Sequence, residues 1–287
     1  MRNNEDRLGG ALEASEAPPT NTTNNPSNGS SGLLNFVAPT DFVELPSKGT
    51  YYPKEHALRG QKTIEIRQMT AKDEDILTSR ALLQQGIAID RLLDNLIIDN
   101  NIRAKDLLVG DKNAIMITAR ASAYGRLYET SVQCPYCAQH SEHSFDLEEA
   151  LVLKEVDSEV GKNLTEDATY RTTLPASKAE VEIKYLTSED EKKLMNLTER
   201  RRKHKLQDTA VTDQVKAFVV SINGVSDLSE IAKFVDNMPA KDSRYIRSVY
   251  ADTAPNVDLT QDYICKHCLT ETVLEVPFST DFFWPRS

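Results

Sequence analysis

Basic residues are in short supply in this chain: 34 lysines and arginines stand against 44 aspartates and glutamates, a formal net charge of -10 over 287 residues. Nucleic-acid binding draws on basic surface that displaces phosphate counterions, so the balance argues against it as a general task. The run Arg200-Arg201-Arg202-Lys203 with Lys205 is a local exception, and its polar neighbours make it read as a solvated helix face. Long apolar runs are missing too. No stretch approaches the ~20 apolar residues of a membrane helix, and the opening from Met1 to Gly10 lacks the apolar core of a secretory signal. The expectation is a chain without membrane insertion that folds in a reducing cytoplasm. Cysteines there hold metal or do redox work more often than they form disulfides.

Catalytic signatures are absent as well. The sequence has no Gly-x-x-x-x-Gly-Lys-Ser/Thr, no Gly-x-Gly-x-x-Gly, no His-Glu-x-x-His and no Gly-x-Ser-x-Gly. Nothing nominates a substrate, and the expectation is a protein that is not an enzyme. What the chain does have is ordinary globular material. Hydrophobic residues make up 39% and charged residues 27%, enough for one large or two modest cores.

Residues 1–32 are rich in Asn, Ser, Thr, Gly and Pro and are expected to form a disordered tail, because they cannot bury enough surface to offset ordering. Residues 33–150 read as an N-terminal α+β domain. Phe42 to Pro53 is expected as a loop pinned onto a surface by its prolines and Gly49. Lys62 to Met69 alternates as a strand with Ile64 and Ile66 on one face. Thr70 to Asp73 opens a helix toward Leu77, and Asp73, Glu74 and Asp75 complement its dipole rather than bind metal. A second helix carries Ile87, Leu92, Leu93, Leu96 and Ile97. A third runs from about Asp111 to Tyr124 with Gly125 at its C-terminal cap. A strand from Tyr128 to Gln133 leads into the first cysteine pair.

Residues 151–259 read as a helix-rich insertion. Val181, Ile183 and Tyr185 alternate as a strand, and Thr187 starts a charged helix expected to extend past Lys205. A helix or strand through Phe218 to Ile222 turns at Asn223-Gly224, and short helices follow from Ser229 to Val235 and from Asp242 to Tyr250. Residues 260–287 carry the second cysteine pair and an aromatic end with Phe282, Phe283 and Trp284. These three must be covered either by their own chain or by a partner subunit, for which aromatics are favoured anchors.

The strongest signal is the cysteine spacing. All four cysteines fall into two Cys-x-x-Cys pairs, Cys134/Cys137 and Cys265/Cys268, each flanked by strand-like residues. A Cys-x-x-Cys turn presents two sulfurs to one ion, and four thiolates suit tetrahedral Zn2+. The reading is a split, zinc-ribbon-like unit of four cysteines formed by two hairpins, closing a loop of roughly 130 residues. Structural zinc binding is worth on the order of 10 kcal/mol. Two rivals exist. His140 and His143 could complete a local site with Cys134 and Cys137, and Cys134-Pro135-Tyr136-Cys137 matches a glutaredoxin-type dithiol. The first strands the second pair. The second needs a helix N-terminus at Cys134, where a polar turn follows instead. His267 is expected to point away from the ion. The fold class is therefore α+β with substantial helix.

Several segments together resemble the T4-type phage baseplate hub subunits and their relatives in other contractile-tailed phages. They are Glu44 to Gly49, Met69 to Thr78, Asp90-Arg91-Leu92-Leu93, Leu107 to Ile115, the Cys134-Pro135-Tyr136-Cys137 knuckle, and Cys265/Cys268 with Phe282-Phe283-Trp284-Pro285. The resemblance covers most of the chain after about Leu33. It implies a non-enzymatic part of the virion at or near the central hub of the tail baseplate, folded first in the host cytoplasm. Its implied partners are other baseplate, hub and tail proteins, with self-association in a symmetric assembly as a further option.

Overall fold

The alternation from Lys62 to Met69 becomes a strand because it has a partner. In the computed structural model, which describes residues 38–151, 153, 163–278 and 280–283, β1 (Thr40–Glu44) and β2 (Thr63–Arg67) pair antiparallel. Val43 lies opposite Ile64, and both are buried with Ile66. Phe42 to Glu44 is thus strand where a loop was expected. Only from Leu45 onward is the segment the pinned turn its prolines suggest. The tail of residues 1–32 and Trp284 lie outside the described residues.

A single carboxylate pins that turn. Asp111 accepts from the Ser47 amide at 3.0 Å, the Ser47 hydroxyl at 2.6 Å and the Tyr52 hydroxyl at 2.7 Å. Tyr52 in turn accepts from the Leu108 amide at 3.1 Å. Burial pushes the Asp111 carboxyl up, and the Ser47 and Tyr52 donors oppose it. The turn itself requires Gly49. Its φ is +69°, and a Cβ there would meet Leu58 O and Gln61 N at 2.4 Å.

Asp111 belongs to α4 (Val109–Tyr124), which begins two residues earlier than its apolar pattern suggests and has Gly125 as its C-terminal cap. Before it come α1 (Ala71–Thr78), α2 (Arg80–Gln84) and α3 (Ala88–Leu96), the last burying Leu92, Leu93 and Leu96. Asp73 does more than complement a dipole. It accepts from the Thr70 amide and hydroxyl and takes both Arg67 guanidinium nitrogens, at 2.6 and 2.8 Å. Burial alone would raise its carboxyl, but these partners hold it down at about 2.

Two hydrophobic cores result among the described residues. The first joins β1, β2, α1, α3 and α4 to β3 (Leu127–Gln133), β4 (His140–Asp146), β8 (Thr260–Ile264) and the C-terminal aromatics. The second forms around the three-stranded antiparallel sheet β5 (Tyr170–Thr173), β6 (Glu180–Ile183) and β7 (Val219–Ile222). Against this sheet pack α6 (Ala210–Phe218), α7 (Leu228–Asn237) and α8 (Ala240–Thr253). α5 (Ser188–Lys203) starts at its Thr187 capping box as expected but ends before Lys205, which takes a φ of 52° beyond the last turn. The stretch from Phe218 to Ile222, ambiguous in the sequence, is the end of α6 followed by β7. The protein is α+β, with 41% of the described residues helical, so helix is substantial without dominating.

The cores share a seam. Tyr185 meets Tyr51 edge-on at 4.9 Å, Tyr250 stacks on Phe218 at 4.7 Å, and the Tyr250 hydroxyl accepts from the Leu186 amide. Backbone bonds from Val109 to Leu186 and from Ser188 to Leu107 zip the start of α4 to the start of α5. Gly110 sits on this seam, and a Cβ there would lie 2.0 Å from the Pro255 carbonyl oxygen. Helix propensity alone favours alanine over glycine by about 1 kcal/mol. The contact reverses that sign, so Gly110→Ala is expected to destabilise the protein by about 1–3 kcal/mol in denaturant unfolding. A gain in stability would contradict the close approach.

Candidate metal centre

Each Cys-x-x-Cys lies at the tip of a hairpin whose register brings it there. β3 and β4 pair out to Gln133 opposite His140, and β8 pairs with β9 (Glu271–Glu275) out to Ile264 opposite Glu271. The two six-residue tips are built alike. In the first, the Cys134 amide donates to Gln139 O and the Ala138 amide to Cys134 O. In the second, the Cys265 amide donates to Thr270 O and the Leu269 amide to Cys265 O. Ala138 and Leu269 both take positive φ, 57° and 58°, directly after the second cysteine. That bend turns both sulfurs of each pair to the same side. His140 to Asp146 is strand throughout, so the polar turn expected after Cys137 is shorter than the sequence suggests.

The tips face one another. Cys134 Sγ lies 3.8 Å from Cys268 Sγ, and Cys137 Sγ lies 3.7 Å from Cys265 Sγ, across 134 and 128 positions of sequence. All four sulfurs lie within 4.8 Å of one another. A tetrahedral ion with metal–sulfur bonds of about 2.3 Å sets its ligands about 3.8 Å apart, so the spacing fits one central ion. It is also far from the ~2.05 Å of a disulfide, and all four thiols are free. Four protein ligands on one ion would leave no open position, the arrangement of structural rather than catalytic sites.

The environment favours thiolate at one end of the cluster. The Cys268 amide, against the effect of burial and with help from the His267 amide, pulls the Cys265 thiol down to about 6. The Gln139 amide acts the same way on Cys137, but burial and the surrounding sulfurs push that thiol up to about 12. A cation at the centre would remove the mutual repulsion that keeps the remaining protons on.

The histidines stand apart from the sulfurs. Among the described residues no His, Asp or Glu joins the group. The His143 ring packs edge-on against Phe145 at 4.6 Å and Tyr263 at 5.2 Å. His140 is exposed on β4. The His267 ring points across to the His140 carbonyl, 3.3 Å away, as expected of a side chain turned from the cluster. Cys134 sits at a hairpin tip, not at a helix N-terminus, so the dipole that activates dithiol oxidoreductases is not there.

Side chains that carry no signature in the sequence dock the hairpins together. Ser141 and Tyr263 share a hydroxyl bond at 2.8 Å. The Gln261 amide makes two bonds to the Asp146 backbone, at 2.9 and 2.5 Å. Lys266 reaches the Glu142 carbonyl at 3.1 Å. Behind the hairpins, Phe282 and Phe283 are buried at 1% and 2% exposure, Phe282 edge-on to Tyr128 at 5.1 Å. Arg120, itself buried, donates from Nε to the Phe282 carbonyl at 2.8 Å. Of the aromatic end that either its own chain or a partner was expected to cover, these two side chains are covered by their own chain.

If the four sulfurs hold one ion, a strong chelator is expected to release one metal per chain and to lower the unfolding temperature by well over ten degrees. Exchanging Cys265 and Cys268 together for serine should do the same. A double variant that kept its full metal content would place the ion on Cys134 and Cys137 with histidines instead.

No helix of the described residues is long and apolar enough to cross a membrane. A search of curated proteins and a search of solved structures returned no match. A family model described as T4 bacteriophage base plate protein does match, over residues 42–284. That span runs from β1 through both hairpins to the aromatic end. The chain belongs to the T4 bacteriophage base plate protein family.

Proposed function

We propose that this chain is a non-enzymatic structural subunit of the central hub region of a contractile-tailed phage baseplate, stapled by one Zn2+ on Cys134, Cys137, Cys265 and Cys268. The observation that carries the reading is the family match together with a closed, all-sulfur ligand set. Four cysteine sulfurs within 4.8 Å of one another suit Zn2+, which is indifferent to redox and tetrahedral by preference. A site with every position taken by protein offers no place for a substrate. Its contribution is to folding, since metal affinity of this kind is folding free energy on the order of 10 kcal/mol.

The division of labour proposed is that residues 33–150 and 260–287 supply the two halves of the zinc unit, with 151–259 inserted between them. The makeup of the second core, from Leu174 to Ile246, supports it. The location proposed is the virion tail, reached after folding in the host cytoplasm, and the partners are other baseplate, hub and tail proteins.

Quantitative mass spectrometry of purified particles tests the placement, with a tail-tube protein as internal standard. The expected result is this chain at a fixed, small copy number in every preparation. Abundance in infected cells with absence from particles would instead make it an assembly chaperone that leaves before the tail is complete.

A further inference from the structure

On this acidic protein a cleft is lined by more cations than anions. Between α3, the Arg103–Asp106 turn and α5 lies a concavity of about 720 Å3. Its carboxylates are already occupied. Asp90 pairs with Lys192 at 3.1 Å and accepts from Ser188, Glu189 pairs with Lys193 at 3.0 Å, and Asp94 accepts from the Ala104 amide at 2.8 Å. Lys193 holds the Glu189 carboxyl below its usual range, with Lys105 adding to the effect. Arg91, Arg103 and Lys105 are left over. All three line the cleft, are exposed, and make no side-chain hydrogen bond or ion pair among the described residues. Arg91 stands out because its neighbours in Asp90-Arg91-Leu92-Leu93 each have a structural task. Asp90 anchors α5, and Leu92 and Leu93 are fully buried.

We infer that this cleft is a docking site for a carboxylate-rich segment of a partner protein, gripped by Arg91, Arg103 and Lys105. Guanidinium forks match carboxylates bidentately, and Ile87 with the aliphatic stems of the basic residues provides an apolar wall for side chains interleaved with the acidic ones. A nucleic-acid strand fits worse. Its continuous phosphates call for an extended basic track, whereas three unpartnered cations in one cleft match a short segment with a few spaced carboxylates. That the partner is a neighbouring baseplate subunit rests on the function proposed above. The recognition chemistry does not.

The test uses the purified full chain and a short labelled peptide of alternating glutamate and leucine, followed by fluorescence anisotropy. Two charge-matched variants are compared. Arg91→Glu/Arg103→Glu alters the cleft, and Arg200→Glu/Arg202→Glu alters the exposed basic end of α5. Circular dichroism and metal content confirm that both fold. The inference predicts that the cleft variant binds about tenfold more weakly or worse, while the control changes by about twofold or less. Equal losses in both variants, or no binding by the unmodified chain, would overturn it. So would displacement of the peptide by inorganic phosphate, which marks a small-anion site, or preference for a single-stranded oligonucleotide of equal charge. Because none of these readouts involves particles, failure here leaves the virion measurement to judge the baseplate reading separately.

Discussion

Two hairpins far apart in sequence meet at four sulfur atoms, and the chain between them has to leave and return at that meeting point. Bringing the ends of such a loop together costs conformational entropy that grows only slowly with its length. A long excursion between Cys137 and Cys265 is therefore tolerable once the ends are fixed. Without an ion, the contacts holding the tips together are a few hydroxyl and amide bonds, each worth about 1 kcal/mol net. With four thiolates on a cation, the same junction becomes the strongest single link in the molecule. The rest of the first core is arranged around it: Tyr128, Val132 and Phe145 beneath one hairpin, Tyr263 and Val276 beneath the other, Phe282 and Phe283 closing the base.

From that junction the helices take their places. α4 runs beside β1, and its buried Arg120 gathers the carbonyls of Gly125 and Phe282 and faces the Tyr128 ring at 5.8 Å, so the helix end, the first hairpin and the C-terminal turn are tied at one guanidinium. The opposite end of α4 holds Asp111 and Gly110, one fixing the Ser47–Tyr52 turn and the other admitting the backbone at Pro255. Segments at positions 47, 111 and 255 thus converge at a helix N-terminus. The excursion carries its own core, joined to the first along the Tyr185–Tyr250 seam. A part of this design suits an assembly, where rigid attachment points matter more than an open cavity.

Legibility followed the range of the forces involved. The cysteine pairing could be read because a Cys-x-x-Cys spacing is local chemistry, and α3, α4 and α8 could be read because their apolar stripes have helical period. Thr187 announced α5 through its capping box, yet the end of that helix was misplaced, because charged residues continue beyond the last hydrogen-bonded turn. β1 was hidden because Phe42, 70% exposed, breaks the alternation that Val43 would need. β5 was missed since Tyr170 to Thr173 has little apolar pattern and owes its form to pairing with β6 and a bridge from Leu164 to Tyr170. The task of Asp111 was out of reach, since its partners lie 59 and 64 positions away. The cationic cleft escaped for the same reason: it is assembled from residues of α3, the turn before Asp106 and α5, which no spacing rule connects.

Whether both hairpins share one zinc ion can be read from X-ray absorption at the zinc edge of the purified chain. A shared ion gives a single shell of four sulfur atoms at about 2.3 Å with no nitrogen scatterer. A shell mixing two sulfurs with imidazole nitrogens, or a purified chain that folds fully without zinc, would contradict it.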